Sequence, residues 1–120
     1  FKPIATPLAE LTLDAVDMAV SKVTASSAIS AHQVTDETII ITFAKPIPVG
    51  RESTVTVAYS AFPRKGLYFR TPAQGYPAEE TQVWSQGEST ESRHWYPCHD
   101  FPNEKMTTEL TCHVPEGMTV

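Results

Sequence analysis

Along the N-terminal half of the chain apolar and polar residues alternate, as expected of strands that keep one face in a core. Leu8, Leu11 and Leu13, set among polar residues, predict a strand that ends near Asp14. Met18, Val20 and Val23 predict a second. A helix over residues 9–20 competes for the same stretch, since Leu11, Ala15 and Met18 would share a face; the β-branched residues that follow argue against it. Residues 28–34 alternate again and lead into a turn at Thr35-Asp36-Glu37. Residues 38–43 put Ile39, Ile41 and Phe43 on one face of a strand. Residues 45–50 predict a loop, because Pro46 and Pro48 each remove a ladder donor. Residues 52–60 then set Val55, Val57 and Tyr59 against Thr54, Thr56 and Ala58.

From Phe62 the pattern loosens. Residues 66–70 and 82–86 predict short strands, with a Pro- and Gly-containing surface loop over 71–81 between them. Residues 105–114 alternate Met106, Thr108, Leu110 and Cys112 on one face and predict a last strand, turned by Pro115-Glu116-Gly117. Strands separated by Pro and Gly, with no segment of helical period, predict a single all-β domain: an antiparallel curved, saddle-like sheet or sandwich. The start at Phe1 and the stop in an apolar opening at Met118 and Val120 read as cuts, so both ends are expected to continue in a longer protein.

Composition narrows the function classes. The chain has 120 residues, 41% hydrophobic and 19% charged, which suits one globular core. Net charge is −5 and the nine Lys and Arg are scattered, so neither nucleic acid nor an anionic membrane is an expected partner. No apolar run approaches the roughly 18 residues of a membrane-spanning helix. A soluble protein is expected, with a cytoplasmic setting preferred. Two cysteines make no disulfide framework. Cys98 and Cys112 are either two reduced and mostly buried thiols or a single bridge.

The stretch from Trp84 to Lys105 breaks the period, and its chemistry is not that of a scaffold. Gln86 and Glu88, two apart, would share a face of a strand end, where a carboxylate and an amide can hold a protonated amine. A solvated polar pair is the other reading. Pro97 and Pro102 build a rigid turn. His94, Cys98, His99, Cys112 and His113 lack the spacing of a zinc knuckle, and there is no His-Glu-x-x-His. No Gly-x-Ser-x-Gly occurs, and Cys98 beside His99 cannot work as a thiol nucleophile and its base. The residues alone describe a binding or interface domain without catalytic apparatus or a metal site of its own.

The order Ser85-Gln86-Gly87-Glu88, Arg93, Pro97-Cys98-x-Asp100-x-Pro102 and Lys105 resembles the N-terminal-domain signature of the zinc aminopeptidases of the M1 (gluzincin) class. Leu13-Asp14-Ala15, Lys65-Gly66-Leu67-Tyr68 and Val114-Pro115-x-Gly117 fit the same family. The resemblance implies a saddle-shaped β domain packed on a catalytic domain absent from this chain, which carries the zinc ligands and general base. It implies that the whole protein removes N-terminal residues from peptides by metal-activated water. It further implies that Glu88 binds the α-amine of a peptide N-terminus and that Gln86 lines the pocket for the first side chain. Arg93, Pro97, Cys98, Asp100, Pro102 and Lys105 would be structural, with Arg93 pairing with Asp100. Phe101, His99 and Ser85 depart from the usual Glu, aromatic residue and Thr. A branch of the family that hydrolyses a lipid epoxide carries Gln at the Glu88 position, so Glu88 favours a peptidase. The alternative is a non-catalytic scaffold, as in the transcription-factor subunit that resembles these peptidases.

Overall fold

A computed structural model of the chain describes residues 1–103 and 105–119, and its strands follow the alternation closely. They are β1 (Leu8–Asp14), β2 (Met18–Ala25), β3 (Ile29–Val34), β4 (Thr38–Ile47), β5 (Val55–Ala61), β6 (Leu67–Arg70) and β7 (Gln82–Ser85). All pairings are antiparallel: β4 lies between β1 and β3, β2 pairs with β5, and β6 pairs with β7. Short 3-10 turns occupy Pro72–Gln74, Ala78–Glu80 and Ser92–His94. None of the described residues form the competing helix, and no helix among them is long and apolar enough to cross a membrane.

The core lies between the β1–β4–β3 sheet and the β2–β5 pair. Ile39 and Ile41 are completely buried and Phe43 nearly so, which is the face that the alternation of β4 predicts. Ala15, Met18 and Ile47 complete the buried cluster, and Leu11, Leu13, Val20, Val57 and Tyr59 close over it. Register sets Leu13 opposite Ile39 and Leu11 opposite Ile41, so the apolar faces coincide along the ladder.

Two expectations are corrected. Residues 45–50 are not wholly loop, since β4 runs on to Ile47. The β1–β4 register jumps from Glu10–Thr42 to Leu8–Ile47, so Pro46 falls in a bulge where no ladder donor is required, and Ile47 returns to the core. Residues 105–114 form no strand: they are exposed, with no ladder on either side among the described residues. Alternation supplies a face for burial, but a strand also needs a neighbour to take its backbone hydrogen bonds.

Candidate functional site

The β6–β7 hairpin delivers the polar stretch. Strand β7 ends at Ser85, and the Gln86 N–H donates to the Gly66 carbonyl at 2.9 Å, one step beyond the ladder. Glu88 therefore lies past the strand, in a loop, and the expected shared strand face for Gln86 and Glu88 does not extend to it. Both side chains are exposed, and neither has a hydrogen bond or ion pair among the described residues. The Glu88–Ser89 peptide is cis.

Close backbone approach shapes the loop. Gly66 has φ +75°, and a Cβ there would run into the Glu91 carbonyl oxygen and lie 2.9 Å from Trp95 Cδ1. At Gly87 a Cβ would meet Ser92 Oγ. The Glu91 N–H donates to the Gly87 carbonyl at 3.0 Å, and the N–H groups of Trp95 and Tyr96 both donate to the Ser92 carbonyl. Glu88 thus belongs to one compact unit. Tyr59 Oη on β5 donates to the Trp95 carbonyl at 2.8 Å and ties that unit to the core.

Arg93 pins the far side. Its Nε lies 3.1 Å from Asp100 Oδ2, its backbone N–H donates to the same oxygen at 3.0 Å, and its Nη1 lies 3.3 Å from Asp14 Oδ1. The second Asp14 oxygen, Oδ2, accepts the Asp100 N–H at 3.0 Å. Asp14 and Cys98 also exchange backbone hydrogen bonds of 2.7 and 3.0 Å, and the Val16 N–H donates to the Arg93 carbonyl at 2.9 Å. The expected Arg93–Asp100 pair is present, within a triad whose third member, Asp14, closes strand β1. Phe101 stacks on the guanidinium, 5.5 Å from ring centroid to Arg93 Cζ.

Cys98 is buried and reduced; Cys112 is also a free thiol but exposed, which corrects the expectation that both are buried and excludes a bridge between them. Burial pushes the Cys98 thiol up from its ordinary 9.0 to about 12, and the Asp100 and Asp14 carboxylates add to the shift against the opposing Arg93 charge. A thiol held protonated is a poor metal ligand and nucleophile. Among the described residues no three His, Cys, Asp or Glu side chains converge as a metal site. Glu91 Oε1 pairs with Lys65 at 3.3 Å, while its buried Oε2 has no hydrogen-bond partner among the described residues and lies 3.9 Å from His94 Nε2.

Pro97 leads from the 92–94 turn into the Asp14–Cys98 bridge, and Pro102 is exposed in the turn beyond Asp100. Lys105 is exposed, outside any strand, with no ion pair among the described residues. Sequence reasoning did not single out Asp14, Tyr59 or Gly66 for the site. One local signal existed for Asp14, an acidic residue that ends an apolar strand.

The family model described as the peptidase M1 N-terminal domain matches residues 3–120. Aminopeptidase B of Rattus norvegicus is 25% identical over 83 residues, which cover 69% of this chain and 13% of the rat protein. A solved two-domain M1 zinc metallopeptidase, an E323A mutant bound to L-tryptophan, superposes with a TM-score of 0.65 at 20% identity, over 85% of this chain and 24% of the other. The chain thus spans a small part of the length of these relatives.

Proposed function

The chain belongs to the peptidase M1 N-terminal domain family, and on that premise we propose that it is the amine-recognition domain of a longer zinc metallo-aminopeptidase. In this reading Glu88 holds the α-amine of a peptide N-terminus, Gln86 lines the pocket for the first side chain, and the domain packs on a catalytic domain outside this sequence. The observation that carries it is the Glu88 carboxylate. It is exposed and unpaired among the described residues, yet sits in a loop fixed by Gly66 on one side and Arg93 on the other.

An α-amine has a pKa of about 7.7, so at neutral pH much of it is charged and a fixed carboxylate takes that form. One carboxylate set at a fixed distance from the scissile bond selects the first bond of a peptide over internal ones, because an internal residue brings no charge to pair. The described residues do not fit the zinc that the family implies: no ligand cluster forms, and the buried thiol is kept protonated. In this reading the zinc ligands lie on the catalytic domain, and this chain's own work is binding and orientation.

The test uses the full-length protein. Glu88→Ala is expected to lower kcat/KM on a free-amine aminoacyl substrate by about 100-fold with zinc content unchanged, the order of loss when a charged recognition contact is removed. Unchanged kinetics would reject the amine anchor. A wild-type protein with neither activity nor zinc would favour the scaffold reading.

A further inference from the structure

We infer that Asp14 is a positioning residue for the amine-recognition loop: from the end of β1 its carboxylate fixes Arg93 and Asp100, and through them the place of Glu88. The inference rests on the reading of Glu88 as the amine anchor.

The 93–100 turn meets Asp14, at the end of β1, and Val16 just beyond it. The contacts include the paired backbone bonds of Asp14 with Cys98, the Val16 N–H to the Arg93 carbonyl, and the two Asp14 carboxylate oxygens. Those oxygens are used separately. Oδ1 faces Arg93 Nη1 at 3.3 Å, and Oδ2 accepts the Asp100 N–H at 3.0 Å. Asp14 is thus a two-acceptor bracket between two segments of the turn. Asp100 then holds Arg93 through both its backbone N–H and its Nε.

The loop carries a shift at Arg93 back to Glu88. Glu88 lies between the Gln86–Gly66 hydrogen bond and the Arg93 anchor, and the Glu91–Gly87 and Tyr96–Ser92 hydrogen bonds make the span one piece. Asn at position 14 keeps the shape but not the bracket. An amide has one acceptor and one donor end, so whichever way it turns, one of the two contacts becomes donor against donor. The backbone bonds to Cys98 remain, so the fold is retained while the turn loosens.

The experiment compares, in the full-length protein, wild type, Asp14→Asn, Glu88→Ala and the double variant, by kcat and KM on a free-amine aminoacyl substrate and by thermal melting. Asp14→Asn is expected to lower kcat/KM by about 10- to 100-fold, the scale for a misplaced recognition group. It is expected to cause little further loss once Glu88 is alanine, because there is then no anchor to misplace. A lower melting temperature in both backgrounds is compatible with this, but a purely structural role would not make the kinetic loss depend on Glu88. An equal loss in both backgrounds, or wild-type kinetics for Asp14→Asn, overturns the inference. Wild-type kinetics for Glu88→Ala removes the anchor reading, and the inference with it, and is recognised without reference to Asp14. If Asp14→Asn does not fold, Asp14→Glu, which keeps both acceptors and displaces them by a methylene, is compared in the same way.

Discussion

Replacing Gly66 with alanine tests whether close backbone contact holds the 87–95 loop. Two costs follow from the geometry. A non-glycine residue at φ +75° adopts the left-handed region, at about 1–2 kcal/mol. The new Cβ also enters space held by the Glu91 carbonyl, and it would lie 2.9 Å from Trp95 Cδ1. The Trp95 ring can turn, but the Glu91 carbonyl cannot move without dragging the 87–95 loop, so overpacking adds about 1–3 kcal/mol. The sum is about 2–5 kcal/mol. Gly75 provides the control, because it has φ +89° but a Cβ added there would meet nothing within 4 Å. Gly75→Ala should therefore show the backbone cost alone, about 1–2 kcal/mol. Urea denaturation of both variants, read as a midpoint shift at constant m-value, separates the two contributions. If Gly66→Ala is no more costly than Gly75→Ala, the loop is not held by this contact and the reasoning fails.

Two further outcomes are expected. Arg93→Met leaves the Asp14 and Asp100 carboxylates facing each other without their cation and should cost about 3 kcal/mol, since a mostly buried partner is stranded. Combined with Asp100→Asn in a double-mutant cycle it should show a coupling of about 1–3 kcal/mol, and additive losses would mean that the pair does not interact. At alkaline pH the Cys98 thiol contributes stability that is complete below its unfolded value of 9.0 and is lost as pH rises towards about 12. The unfolded chain releases its proton first, so stability should fall through that window by at most about 1.4 kcal/mol per pH unit. Tyr59, raised by burial, adds in the same direction. Chemical denaturation at several pH values, compared with Cys98→Ala, checks the slope, which should be shallower in the variant.

The sandwich was legible because β1, β2, β4 and β5 each turn apolar residues to the core, and the alternation of Ile39, Ile41 and Phe43 states which face is buried. Pro46 misled because a proline excludes a paired ladder position and not a bulge, and the register jump opposite Leu8 and Glu10 is not written in any local pattern. Met106, Thr108, Leu110 and Cys112 misled for the opposite reason, since alternation marks a face and cannot provide the neighbouring strand. In the loop, Arg93 and Asp100 lie seven residues apart and could be paired by inspection. Asp14 lies 86 residues from Asp100, and the Tyr59 hydroxyl 36 from the Trp95 carbonyl, so only the packing of the sheets brings them together. Gly66 was legible as part of a motif, but its need for an absent side chain follows from the Glu91 carbonyl across the hairpin.

The central claim is that the Glu88 carboxylate reads a charged α-amine. Its most direct measurement is the ratio of inhibition constants, in the full-length protein, for an amino-acid-derived inhibitor and its des-amino analogue, in wild type and in Glu88→Gln. Glutamine keeps the size of the side chain and removes its charge. The account predicts that wild type prefers the amine by about 100-fold and that the preference falls close to unity in the variant, with zinc content the same in both. A preference that survives intact in Glu88→Gln would contradict it and place amine recognition on another residue.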